Sequence, residues 1–407
     1  IGAFDPAFGR GYGEEVDWCR RAISAGGCHV VQTNLFVGHR GGASFGVQEK
    51  ARRIRTASRT IVQRYPTFNA EVQKWVNAAP MAPEQLAISL AWLNSSSDKP
   101  VTVFLGHSLG GGAETALQSE IADTLETTPG VVLLRVGGPR LWRIELRGKG
   151  FKLAGDVASD DLLRQLFKAL PRRRMVYSCG VGATDPTIVP RTLLQLQTDG
   201  IELRLHDFLP ISPSWNLLDS HGNFDGVPPE DTTDPAHHVL GTRRQSLTSH
   251  QEWRRLWRTV IDKADRIVTF APSGRDLLTT AYPNASDKIT VVPHSLPSLP
   301  NSLPLSGQSI GVLGGINRAK GGAVLQELSG QTGRRLVIIG ELDGQFRLPN
   351  PHVVHGRYEQ SQIETLAKHY GIPGIEGEEM RKVELKTDQR GGFPAMGSVL
   401  VATSYPG

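Results

Sequence analysis

The chain has little cysteine, no long apolar run and no marked excess of either charge. Three cysteines, Cys19, Cys28 and Cys179, are scattered through 407 residues. Their number is odd and their spacing fits no metal site, which argues against a disulfide framework and points to a reducing, cytoplasmic setting. Lys and Arg total 45 against 40 Asp and Glu, a net charge of +5. That excess is too slight to argue for a nucleic-acid partner. No apolar stretch is long enough to span a bilayer, and no secretory leader is recognisable. The chain opens at Ile1, already inside a motif-like stretch, and so reads as a piece of a longer protein. Its length leads us to expect more than one domain.

What the chain does have is concentrated in Val101 to Leu125. Five apolar or β-branched residues, Val101 to Leu105, predict a strand. A Gly-rich turn, Gly106 to Gly112, follows, and then a helix with Ala116, Leu117, Ile121 and Leu125 on one face. Strand, tight loop and helix make the first unit of a doubly wound α/β domain. Gly110, Gly111 and Gly112 let the backbone approach a ligand, and a helix N-terminus favours an anion. Three readings compete. Gly106-His107-Ser108-Leu109-Gly110 fits the nucleophile elbow of α/β-hydrolases. The glycines could equally face a nucleotide or sugar, or merely turn the chain.

Upstream, a Gly-rich turn leads to Glu14, Glu15 and Asp17 at the start of a predicted helix, Val16 to Ala25. Acidic residues there complement the helix dipole, but a carboxylate at a sugar-transfer site can also deprotonate a hydroxyl. A strand is expected over His29 to Val37, leading to His39. Residues 1–48 resemble the end of a family 2 glycosyltransferase domain of GT-A fold. The resemblance implies an acceptor site with Glu15 as catalytic base beside Asp17 and Arg21. His39 would complete a Mg or Mn site only in a whole GT-A domain, and the nucleotide-binding strands and the D-x-D motif are not in this sequence.

Residues 49–100 read as a helical linker. Lys50, Arg52, Arg53, Arg55, Arg59 and Arg64 share one helix with Ile54, Ile61 and Val62. Such a helix is either a solvated face or a peripheral membrane contact.

Beyond Leu125 a βα alternation continues: strands at Gly130 to Arg135 and Met175 to Cys179, helices at Leu162 to Leu170 and Pro190 to Asp199. The strand Ile201 to Leu205 delivers His206 and Asp207 at its carboxyl end, where open α/β sheets place ligands. His206 there can act on a hydroxyl or be an ordinary strand-end histidine. Val101 to Leu105 looks like the first strand of its domain, which disfavours the elbow, since Ser108 would need earlier strands and a placed acid and base. Asp219, His250 and His294 are the downstream candidates, none in a distinguishing context.

HSLGGGAET, HDFLPISPSWNLLD, WRRLWRTVIDKADRIVTFAPSGRDLL and ITVVPHSL follow one another in the order found in family 4 glycosyltransferases. Residues 101–370 resemble that family, whose GT-B fold has two facing Rossmann-like domains. This gives an expected α/β architecture: a GT-A remnant (1–48), the linker (49–100), an acceptor-side domain (101–298) and an incomplete donor-side domain (299–407). The resemblance places His206 and Asp207 at the reaction centre. It puts Lys320 on the donor diphosphate, with Arg318 near a second cation and Gly315 in the same Gly-rich turn. From Gly371 the sequence departs from the family. Glu376 and Glu384 have the E-x7-E spacing of its donor-sugar carboxylates, in a stretch whose apolar pattern is otherwise wrong, so low turnover is expected. The implied activity is retaining transfer of a hexosyl group from a nucleotide-sugar to a glycan or lipid-linked glycan of a bacterial surface polysaccharide, with no metal or other cofactor in the GT-B part and no nucleic acid. An α/β-hydrolase acting through Ser108 and a non-catalytic sugar- or nucleotide-binding remnant are the alternatives.

Overall fold

The computed structural model describes residues 1–9, 11–32, 35, 37–38, 46–239, 248–294, 309–331, 335–359, 362–372 and 401–402. The chain divides into two compact units, Ile1–Ala87 and Ile88–Gly407. Among the described residues no helix is long and apolar enough to cross a membrane.

The first unit is helical: α1 (Glu14–Ser24), α2 (Val47–Arg64) and α3 (Phe68–Ala78). Glu14, Glu15 and Asp17 fill the first turn of α1, which begins two residues earlier than the sequence suggested. α2 ends at Arg64 because Tyr65 precedes Pro66 and takes an extended φ of −131°. Asp17 is the buried hub. Its carboxylate accepts from Arg21 Nε, Arg64 Nη1 and the Tyr65 hydroxyl, each at 2.9 Å. Gly13, at φ +91°, must be glycine, because a Cβ there would meet Ala57 Cβ and the Phe8 ring at 3.0 Å. The strand expected over residues 29–37 does not form among the described residues. Val30 and Val31 are 81% and 59% exposed. No described strand of this unit lies beside them, and an unpaired strand has no ladder or apolar face to stabilise it. A further helix, α4 (Ala82–Ser95), spans the boundary between the units.

The second unit holds two sheets. The first has eight strands in the order β4-β3-β2-β1-β5-β6-β7-β8. Its strands are β1 (Val101–His107), β2 (Gly130–Val136), β3 (Trp142–Gly148), β4 (Phe151–Val157), β5 (Arg173–Tyr177), β6 (Ile201–Arg204), β7 (Arg266–Thr269) and β8 (Ile289–Val291). Helices α5 (Gly112–Thr127), α6 (Asp160–Phe167), α7 (Ile188–Leu196), α8 (His250–Lys263) and α9 (Pro272–Ala281) connect them. β2, β1, β5, β6, β7 and β8 pair in parallel. β1 and β2 are apolar almost throughout and buried, as strands covered on both faces must be. Phe104, Val131, Leu133 and Val176 pack with Leu117 and Ile121 of α5. Gly106 permits that approach, since a Cβ there would lie 2.7 Å from Leu117 Cδ2.

The antiparallel strands β3 and β4 were not anticipated. Trp142, Ile144 and Leu146 alternate toward the core, and Gly150, at φ +83°, closes the hairpin. That period of two was present in the sequence between the stronger helical signals on either side.

The second sheet has the order β11-β10-β9-β12. β9 (Ser309–Leu313), β10 (Arg335–Ile339) and β11 (His352–Val354) are parallel, and β12 (Val401–Ala402) pairs antiparallel with β9. α10 (Gly322–Gln331) and α11 (Ile363–His369) flank it. Ile310, Val312, Leu325, Leu336 and Ile338 form its core.

Candidate functional site

In the first sheet the chain passes from β1 to β2 on one side and later returns to β5 on the other. The carboxyl ends of β1 and β5 therefore flank a topological switch point, where open α/β sheets bind ligands.

β1 ends in His107, which is 6% exposed. Its Nδ1 accepts the Leu109 backbone N–H at 3.3 Å, so the ring proton sits on Nε2, which is buried without a partner. Burial holds the imidazole below its usual pKa. Arg135 on β2 donates to the His107 carbonyl at 2.6 Å, forks onto Glu114 at 2.7 Å through both terminal nitrogens, and reaches Glu145 at 2.8 Å. Burial raises Glu114, but Arg135 more than offsets this and holds the carboxyl below the usual range. The first turn of α5 is thereby fixed to the sheet. Gly110 and Gly111 take φ +78° and +87°, and a Cβ at either, or at Gly112, would meet nothing within 4 Å. The three expected glycines thus border open space.

β6 delivers His206 and Asp207 as expected, but to different depths. His206 lies beside Phe270 and His294 in a stack, with ring centroids 4.3 Å from Phe270 and 5.1 Å from His294. Burial, then the neighbouring His294, Arg204 and His107, lower its pKa to about 3, and its buried Nε2 has no partner. It is a neutral imidazole at the rim of the sheet, able to exchange a hydrogen bond with a hydroxyl. Asp207 is 1% exposed and lies beneath. It accepts from the Tyr177 hydroxyl and from the Gly180 and Leu209 amides. With these donors taken and the carboxylate buried, Asp207 braces the strand ends, and its expected place at the reaction centre stays a proposal.

The excursion after β6 is bolted to α8 and to the segment that follows α9. Trp253 donates its indole N–H to the Leu209 carbonyl at 2.7 Å. Ser212 Oγ lies 2.7 Å from His237 Nδ1. His250 sits between the Pro229 and Ile211 carbonyls at 3.0 and 3.1 Å. His250 is thereby committed to the loop. Ser108 is exposed and, among the described residues, has no hydrogen-bonded histidine. Asp219 accepts from the His221 and Asn223 amides. Ligand atoms of Asp219, His221 and Asp234 lie within 4.8 Å of one another. Asp219 is occupied by amides of its own turn, and Asp234 by the Ala236 amide of its turn and by the amide and hydroxyl of Ser220, a sufficient reason for the arrangement.

The second sheet contributes the turn after β9. Gly314 takes φ +106° and Gly315 borders open space. Asn317 caps a single 3-10 turn, Arg318–Lys320, by accepting the Lys320 amide at 3.0 Å. Lys320 is exposed. Arg318 donates to the His221 carbonyl and lies over Gly222, where a Cβ would collide with the guanidinium. The turn that carries the two expected cations therefore touches the excursion that follows His206.

Glu15 is exposed at an apolar groove shared with Val16, Cys19, Ile23, Val72 and Trp75. Asp17, expected to act beside it, has its oxygens held by Arg21, Arg64 and Tyr65. Burial pushes Asp17 up, but these three partners more than compensate and leave it below the usual carboxylate range. His39, Glu376 and Glu384 lie outside the described residues. Sequence reasoning missed His107, Phe270 and the role of Tyr177. The only signal was position, since each stands at or just beyond a strand's carboxyl end.

The topology defines a mixed α/β protein with a large, predominantly parallel sheet and a second, smaller one. No family model matches the chain, and no curated protein matches it. Among solved structures, the apo form of the lipopolysaccharide outer core galactosyltransferase WaaB is similar at 12% identity and a TM-score of 0.35, over 66% of this chain and 70% of that one.

Proposed function

We propose that the chain is a glycosyltransferase that moves a sugar from a nucleotide-sugar to a hydroxyl of a glycan or lipid-linked glycan. The observation that carries this reading is the contact of Arg318 with the His221 carbonyl. It joins the Gly-rich, cationic turn of one sheet to the loop that follows the neutral His206 of the other. A nucleotide-sugar needs both features: cations and backbone N–H groups for the diphosphate, and a neutral base or hydrogen-bond acceptor beside the hydroxyl that attacks. In this proposal Lys320 and Arg318 hold the diphosphate, Gly315 lets it approach the backbone, and Gly110 to Gly112 leave room for the sugars. His206 orients the acceptor hydroxyl. Glu376 and Glu384 stay as proposed donor-sugar ligands. The second unit is proposed to work without a metal and with retention of configuration, in the cytoplasm at the inner face of the cell membrane. Glu15 is proposed as a base, with Mg or Mn beside His39, only where a whole GT-A domain is present.

The test is calorimetric titration with a panel of nucleotide-sugars, followed by nucleotide release in the presence of glycan acceptors. Saturable binding that weakens in Lys320→Ala supports the reading, and release that is lost in His206→Ala supports it further. Binding without release leaves a nucleotide- or sugar-binding module. Absence of binding across the panel overturns the proposal.

A further inference from the structure

Helix α2 carries one broad apolar arc, of which only one edge is covered. Ala57 and Ile61 are buried in the first unit at 7% and 5% exposure. On the outer side Val47, Ile54 and Val62 are 86%, 39% and 43% exposed. At 3.6 residues per turn, Val47, Ala51, Ile54, Ser58 and Val62 fall within about 80° of arc. They form one stripe along the helix, roughly a quarter-turn from the buried pair. Arg55, Arg59 and Arg52 occupy the next ~60° of the circumference, and all three are exposed. Arg52 is paired with Glu49 at 2.8 Å, whereas Arg55 and Arg59 have no carboxylate partner among the described residues. Glu49 is the only acid in this 18-residue helix, against one Lys and five Arg.

We infer that this face of α2 binds an anionic lipid surface. The pattern fits that partner on two independent counts. Guanidinium groups beside the stripe meet lipid phosphates, and Arg aliphatic stems can lie along the boundary while the charged heads stay in the headgroup layer. The small aliphatic side chains of the stripe enter only the shallow headgroup and acyl boundary, as an interfacial helix does. A nucleic acid would use the cations and leave the apolar stripe exposed. The inference is independent of the proposed sugar transfer, since it uses none of the residues placed in that site.

The experiment uses the full chain and sedimentation with large vesicles of phosphatidylcholine alone or with about one third phosphatidylglycerol, at low and high salt. Binding is expected to the anionic vesicles only, and to weaken as salt screens the charges. Arg55→Glu with Arg59→Glu should lower partitioning by at least about tenfold. Val47→Ser with Ile54→Ser and Val62→Ser should also lower it, by about three- to tenfold. Hydrogen exchange of the amides around Ala57 and Ile61 checks that each variant keeps its buried face. Equal binding to both vesicle types overturns the inference, as does unchanged binding in the charge-reversed variant. Unchanged vesicle binding by the serine variant, with a DNA duplex retained more tightly than vesicles, would mark α2 as a general polyanion contact and also overturn it. So would a stripe variant that alters only self-association measured by light scattering.

Discussion

The Tyr177 hydroxyl, at the end of β5, faces both carboxylate oxygens of Asp207, at 2.7 and 2.8 Å. The same carboxylate gathers the Gly180 amide at 3.0 Å and the Leu209 amide at 3.0 Å. Two strand ends and two loops thus converge on one buried acid directly after His206 in the chain. Burial raises the Asp207 pKa, and hydrogen bonds from Tyr177, Cys179, Gly180 and Leu209 counter only part of that. Tyr177 is in turn pushed well above its usual value by burial and by the acid beside it, so it stays a donor.

Asp207→Ala is expected to destabilise the second unit by about 2–4 kcal/mol, because it removes the acceptor that the Tyr177 hydroxyl and the Leu209 amide share in a dry interior. Asp207→Asn should cost less than Ala, since one carbonyl oxygen remains to accept. Urea unfolding of the two variants checks this. Equal stability of parent and Ala variant would show that the buried acid is not the brace described above.

His206 is expected to make the second unit sensitive to mild acid. Its folded pKa is about 3 and its unfolded value is about 6.5. The unfolded chain therefore takes a proton that the folded chain refuses. The contribution of His206 is fully present above about pH 6.5 and is lost progressively between there and about pH 3, at up to about 1.4 kcal/mol per pH unit. His206→Phe keeps a ring beside Phe270 and removes the titration. Urea midpoints at pH 7.5 and pH 5.5 should lie closer together in this variant than in the parent. An unchanged difference would place the acid sensitivity elsewhere.

Lys320→Ala is expected to weaken nucleotide-diphosphate binding about 10- to 100-fold, the value of one charge-assisted phosphate contact. Arg318→Ala should also weaken binding and, in addition, free the loop around Gly222, seen as faster hydrogen exchange at residues 219–224. Calorimetry that gives Lys320→Ala the parent's affinity would remove that side chain from the site.

Asp17→Asn is expected to lower the stability of the first unit by about 1.5–3 kcal/mol, discounted because Arg21 and Arg64 are partly open to water. The folded pKa of Asp17 is depressed, so its contribution is present above about pH 3.9 and is lost as pH falls through the folded value. Hydrogen exchange of α1 and α2 in the full chain, compared at pH 6 and pH 3.5, should show a pH effect in the parent that shrinks in the variant.

Ser108 is expected to resist a fluorophosphonate probe, because no base lies within hydrogen-bonding reach of it among the described residues. Stoichiometric labelling abolished by Ser108→Ala would restore the hydrolase reading.

Sequence alone determined the parts of the second unit that local physics fixes. The apolar runs at Val101, Gly130, Ile201 and Ser309 became buried strands, and Gly110 and Gly111 took the left-handed backbone that glycine adopts without strain. It also put His206 and Asp207 at the end of a strand, since a period change and a strand boundary are both legible in one dimension. Tertiary structure decided what those two neighbours do. Beyond Arg204 the chain bends at both residues, and that bend left one at the rim and carried the other into the interior. Asp17 likewise became a hub because Arg64 and Tyr65, far along the chain, fold back upon it. The segment around Val30, read as a strand from its apolar residues, has no pairing neighbour among the described residues, and pairing is a property of the fold that no single stretch encodes. The contact of Arg318 with His221, on which the functional proposal rests, joins residues 97 positions apart and could be seen only once both sheets had formed.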